Sequence, residues 1–92
     1  NTARLLGSFF TVIHIAENGV EGLEMFNKNN YDLIITDINM PLMNGVKMVR
    51  EIKKKNPRQI IMVISAHDEA RYLLELINLG VEHFVLRGRI QT

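Results

Sequence analysis

The chain has 92 residues, 47% of them hydrophobic and 23% charged, with a net charge of +1 and no cysteine. This fits one folded domain with a thin core. It excludes a disordered tail, a disulfide scaffold, thiolate catalysis and a cysteine-based zinc site, and it leaves no overall electrostatic footprint for nucleic acid.

Thr2 to Phe10 sets Leu5, Leu6 and Phe9 at helical spacing, weakened by Gly7 and Ser8. Val12 to Ala16 reads as a short β-branched strand. Asn18-Gly19 opens a helix with Val20, Leu23 and Phe26 on one face, ending among Asn27, Asn29 and Asn30. Leu33 to Thr36 predicts the next strand and delivers Asp37. Asn44 is a good N-cap for a helix whose Val46, Val49 and Ile52 line one side before Asn56-Pro57 stops it. Ile60 to Ile64 is the longest apolar run, far short of the roughly 20 residues that cross a bilayer. It predicts a buried strand that delivers Ser65. Asp68 is expected to cap a further helix, with Ala70, Leu73, Leu74 and Ile77 inward and Gly80 as its stop. Tyr72, Leu76 and Leu79 form a second apolar stripe on that helix, read either as extra packing or as a partner surface. Phe84 to Leu86 is the last strand and delivers Arg87. Strands alternating with helices predict a parallel sheet with right-handed crossovers.

In an open parallel sheet, reactive groups collect at the carboxyl ends of the strands. With the strands side by side in chain order, Asp37, Ser65 and Arg87 converge on one edge. A carboxylate, a hydroxyl and a guanidinium suit a phosphoryl group: the carboxylate attacks, and the other two hold the product oxygens. The Lys53-Lys54-Lys55 run reads as a solvated helix face. His14, His67 and His83 lack the spacing of metal ligands.

Asp37-Ile38-Asn39-Met40-Pro41 followed by Asn44-Gly45 resembles the phospho-acceptor loop of the response-regulator receiver domain of two-component signalling. Glu17-Asn18-Gly19 with Gly22-Leu23 resembles the turn and helix after that family's second strand. Val63-Ile64-Ser65-Ala66 resembles the end of its fourth strand, and Gly80-Val81 to Leu86 its approach to the fifth. The likeness runs over nearly the whole chain in the right order.

The resemblance implies a flavodoxin-like α/β fold, a parallel sheet of order 2-1-3-4-5 with helices on both faces. It also implies that residues 1–92 are a single receiver domain cut at both ends, without the family's first strand and last helix. Asp37 would be the phospho-acceptor, taking its phosphoryl group from a sensor histidine kinase or phosphotransfer protein. Asp37 and the backbone carbonyl of Asn39 would bind magnesium. Ser65, Phe84 and Arg87 would bind the phosphoryl group and carry the switch to a partner surface, with an output domain or a homodimer engaged through residues 68–86. Such a domain is a cytoplasmic signalling module rather than an enzyme, and touches neither nucleic acid nor membrane.

Two departures from the pattern stand out. No acidic pair precedes Glu17, and Arg87-Gly88 stands where the family has a lysine followed by a proline. They support an alternative reading, a pseudo-receiver used as a phosphate-independent interaction module. A flavodoxin-like enzyme or nucleotide binder lacks support, because neither Gly-x-Gly-x-x-Gly nor Gly-x-x-x-x-Gly-Lys occurs.

Overall fold

A computed structural model describes residues 14–87. In chain order they form α1 (Gly19–Lys28), β1 (Ile34–Asp37), α2 (Gly45–Lys55), β2 (Ile61–Ser65), a 3-10 turn (His67–Tyr72), α3 (Leu73–Asn78) and β3 (His83–Leu86). The strands pair in parallel in the order β1-β2-β3. The register sets Thr36 opposite Val63 and Val63 opposite Phe84, so these three share one face.

The expected helix at Thr2–Phe10 lies outside the described residues, as do Val12 and Ile13. His14 to Ala16 carry no strand, so that part of the expected Val12–Ala16 strand is not formed. The other three strands stand within one residue of their predicted bounds.

Asparagine starts both long helices for the same reason. The side-chain oxygen of Asn18 accepts the Glu21 N–H at 2.8 Å, and that of Asn44 accepts the Lys47 N–H at 2.9 Å. Each thereby satisfies an amide that has no partner within the helix. At the other end of α2, Lys53, Lys54 and Lys55 complement the carbonyl end of the helix. The Lys53 ammonium also donates to the carbonyl of Gln59 at 2.7 Å, Lys54 pairs with Glu51 at 3.2 Å, and Lys55 binds the Asn27 side chain. The run thus has intramolecular work to do.

The core lies between the sheet and α2. Val46, Met48, Val49 and Ile52 are buried against Ile61 and Val63, with Ile38, Leu76 and Val81 completing the cluster. Leu23 and Phe26 of α1 pack on its margin, but Val20, expected on the same face, is exposed.

The segment after β2 departs most from expectation. Asp68 is not its cap: the turn begins at His67 after Ala66, whose N–H donates to the Glu69 carboxylate at 2.8 Å. The inward stripe is also the other one. Leu76 is buried, and Tyr72 and Leu79 pack on the core, whereas Leu74 is 69% and Ile77 54% exposed. Ala70 is exposed as well. Both stripes are apolar and a few residues apart, so hydrophobicity alone does not rank them; the 3-10 turn resets the phase of the short helix that follows.

Gly80 does end α3. Its φ of +99° lets its N–H reach the Ile77 carbonyl, while the Val81 N–H reaches that of Leu76, both at 3.0 Å. This is the Schellman arrangement, and the buried pair Val81 and Leu76 supplies its apolar contact.

Candidate functional site

The carboxyl edge of the sheet is built by three strand ends. Asp37 is the last residue of β1, Ser65 the last of β2, and Arg87 follows β3 directly. Asp37 is level with Ile64, and Ile64 with Val85, so Asp37 and Val85 share a face. Arg87 lies two residues beyond Val85 and projects to that same side. The guanidinium of Arg87 indeed meets the Asp37 carboxylate in an ion pair, with side-chain exposures of 59% and 43%.

Both partners spring from fixed backbone. The Arg87 N–H donates to the Ser65 carbonyl at 2.6 Å, extending the ladder one step past β3. On the other side, the Thr36 hydroxyl donates to the Asp37 carbonyl at 2.8 Å. Gly45, the first residue of α2, packs under that same carbonyl, and its N–H donates to the Ile38 carbonyl at 2.7 Å. Any side chain at Gly45 would collide with the backbone of Asp37 and Ile38. Ile38 is buried and anchors the loop immediately after Asp37.

Ser65 is itself 3% exposed. Its position alternates with that of Asp37, on the face that also carries Phe84 at the diagonal position of the neighbouring strand. Phe84 is half-buried against the core cluster. Asn39 is exposed in the loop. The structure therefore brings Asp37 and Arg87 into direct contact, sets Ser65 beside them through its backbone, and places Phe84 next to Ser65.

The loop from Asn39 to Asn44 contains one strained residue. Leu42 has a φ of +69°, and the Met43 N–H reaches back to the Pro41 carbonyl at 2.7 Å. This is a γ-turn of the rarer hand, a conformation a branched side chain resists. A cavity of about 210 Å³ opens beside β1, its lining including Asp37, Met40, His14 and Tyr31.

Thr36 and Gly45 were not singled out from sequence as positioning residues. A signal for Gly45 was present: glycine at the first position of a helix, right after a strong cap, is favoured where backbone must come close.

The end of β1 and the loop after it offer hard oxygen donors, the Asp37 carboxylate and the Asn39 backbone carbonyl. Magnesium commonly takes one or two carboxylates, keeps several waters and adds phosphate oxygens, and a half-exposed carboxylate suits that habit. Among the described residues no group of three or more His, Cys, Asp or Glu side chains gathers to hold a metal. The set fits such an ion in kind but supplies few protein ligands.

Comparison with known proteins gives a consistent picture. The family model described as the response regulator receiver domain matches residues 1–88. The chain is 33% identical over 78 residues to the transcriptional regulatory protein DegU of Brevibacillus brevis, covering 85% of this chain and 33% of that protein. It is 30% identical over 83 residues to the chemotaxis protein CheY of Bacillus subtilis, covering 90% of this chain and 69% of that one. A cyclic di-GMP phosphodiesterase of Thermotoga maritima is 33% identical over 85% of this chain, which spans only 20% of that protein. Among solved structures, the N-terminal domain of an uncharacterized protein from Wolinella succinogenes superposes with a TM-score of 0.84 at 32% identity, over 97% of this chain and 72% of that one. The REC domain of AraT, a response regulator from Geobacillus stearothermophilus, gives 0.72 at 33% identity, over 78% and 56%.

Proposed function

Because this chain belongs to the family of response regulator receiver domains, with their flavodoxin-like fold, we propose that Asp37 accepts a phosphoryl group from a sensor histidine kinase or phosphotransfer protein. One observation carries the reading: Asp37 ends a parallel strand and meets a cation from the end of a strand two places away. In the transfer, a carboxylate oxygen of Asp37 attacks phosphorus, and the phosphorus–nitrogen bond of the phosphohistidine breaks. The imidazole leaves with the bonding pair, which takes up a proton. Two anions approach each other in this step, so positive charge at the site lowers the barrier. Arg87 supplies such charge on the protein's own account.

Ser65 and Arg87 then hold the oxygens of the new phosphoryl group. Turning the buried Ser65 hydroxyl toward that group disturbs the face it shares with Phe84, and this repacking passes to residues 68–86, where an output domain or a second copy would dock. The exposed Leu74 and Ile77 lie in that stretch. Members of the family generally use magnesium, and here Asp37 and the Asn39 carbonyl would hold it; once bound, the ion would offset charge between carboxylate and phosphoryl oxygens. The domain is a signalling module of the cytoplasm on this reading. Among the described residues no helix is long and apolar enough to cross a membrane. Lys53, Lys54 and Lys55 of α2, engaged within the domain, give no reason to assign nucleic-acid contact.

A pseudo-receiver is the second reading, favoured by the same ion pair, because Arg87 already satisfies the charge of Asp37. Phosphoramidate, a donor with the same phosphorus–nitrogen bond, separates the two. The first reading expects stable labelling that Asp37→Asn abolishes. A folded protein that takes no label, or one labelled equally after the substitution, refutes it.

A further inference from the structure

We propose that the polar groove at the amino end of the sheet, remote from Asp37, is a docking site for an extended acidic peptide segment of a partner protein. The site is independent of how Asp37 is read. Its volume is about 530 Å³, and it lies where α1 and α2 end and the chain turns back toward β1 and β2. Room of that order suits a ligand of a few residues rather than a lone ion.

The wall of the groove is rich in donors. Lys28 at the end of α1 and Lys55 at the end of α2 both line it, and among the described residues no carboxylate does. A helix carbonyl end carries roughly half a negative charge, so the two ends offset about one of the two ammonium charges and leave about one over. The carboxamides are oriented by their partners. Lys55 and the Arg58 N–H can only donate, so the side-chain oxygens of Asn27 and Asn56 are their acceptors. What these two side chains still offer a ligand is their NH2 groups.

One acceptor stands among these donors. Gln59 lines the groove and is 4% exposed. Its NH2 group donates to the carbonyls of Tyr31 at 3.0 Å and Ile60 at 3.2 Å, which fixes the orientation of the amide. No donor among the described residues meets its side-chain oxygen, yet none of their fully buried side-chain polar atoms lacks a partner. The oxygen is therefore the accessible point of an otherwise buried residue, and it calls for an N–H or O–H.

Several donors, a surplus of positive charge and one acceptor describe a particular chemistry. Peptide backbone brings a carbonyl for a carboxamide NH2 and an N–H for Gln59. Glutamate or aspartate side chains bring carboxylates for Lys28 and Lys55. A carboxylate or sulfate ion alone has no donor for Gln59, and a neutral peptide leaves the ammonium groups unanswered.

The test titrates the isotopically labelled protein that carries this chain with the blocked peptide acetyl-Glu-Glu-Glu-amide at low ionic strength, reading backbone amide resonances. Amides of residues 27–31 and 55–59 should shift along one binding curve, while those of Asp37 and Arg87 stay fixed. Lys28→Met and Lys55→Met should each weaken binding about two- to fivefold, the worth of a partly exposed ion pair. Lys47→Met, at an exposed lysine at the other end of α2, should leave it unchanged. A triglutamate peptide methylated on its backbone nitrogens cannot donate to Gln59 and should bind about two- to tenfold more weakly, the worth of one hydrogen bond. This arm leaves the protein unaltered, so it does not depend on a variant folding.

No shift at millimolar peptide in a folded protein overturns the proposal. So do equal losses from Lys47→Met and Lys28→Met, which would mark a general charge effect. Equal binding of acetyl-Gln-Gln-Gln-amide removes the acidic requirement and overturns it as well. Inorganic phosphate that moves the same amides at the same concentration would show a plain anion site, and the peptide reading would fall.

Discussion

Replacing Gly45 by alanine tests how the Asp37 carboxylate is held. At an unstrained glycine, the added methyl would stabilise the fold by about 0.4–1 kcal/mol, because it restricts the unfolded chain. Gly45 does not have that freedom. A Cβ on its backbone would stand 2.0 Å from the Asp37 carbonyl oxygen and 3.1 Å from the Ile38 Cα. Carbon and oxygen settle at about 3.3–3.6 Å even in their closest favourable contacts, so helix and loop must part by more than about 1 Å. Neither side can yield freely. Behind Gly45, Val46 and Val49 are buried in the core, and ahead of it Ile38 is buried as well. The parting also stretches the bond from the Gly45 N–H to the Ile38 carbonyl. Overpacking of this kind costs about 1–3 kcal/mol, so the net change should be a loss of about 1–2 kcal/mol. Urea denaturation reads it as a lower midpoint at unchanged slope. The displaced Asp37 backbone should also weaken the ion pair with Arg87. An alanine variant as stable as the parent, or more so, would refute the claim that close packing fixes Asp37.

Three further outcomes follow from the same structure. Leu76→Ala should cost about 2–5 kcal/mol as a buried truncation, while Leu74→Ala on the exposed stripe should stay within about 0.5 kcal/mol; equal effects in thermal melts would reverse the assignment of the two faces. Leu42→Gly should stabilise by about 1 kcal/mol through relief of the positive φ, and Leu42→Val should destabilise, both read by denaturant titration. Asn44→Ala should cost about 1 kcal/mol through loss of the bond to the Lys47 N–H; no change would mean that the cap contributes nothing.

The parts legible in the sequence were those governed by local chemistry. Asn18, Asn44 and Gly80 announce helix ends because each side chain, or its absence, solves a hydrogen-bonding or steric problem within a few residues. The unbroken apolar runs at Leu33 and Ile60 announce strands, though not their burial, since Ile35 and Ile60 are each 51% exposed, and chain order then places Asp37, Ser65 and Arg87 on one edge. Three features were out of reach because they depend on neighbours distant in sequence. Which stripe of the 67–79 segment faces inward is decided by the phase that the 3-10 turn imposes and by the position of α2, so the expectation for Leu74 and Ile77 was reversed. The dependence on Gly45 appears only when α2 is set against the end of β1. The contact between Arg87 and Asp37 required the register of three strands, although the residue types alone made such a pairing natural.

The acyl phosphate itself offers the most direct test of the central claim. After exposure of the protein to phosphoramidate, borohydride reduction would convert a phosphorylated aspartate to homoserine, and mass spectrometry of peptides would locate it. The account predicts homoserine at position 37 alone, lost when the donor is omitted. Reduction at another carboxylate, or at none in a folded protein, would contradict it.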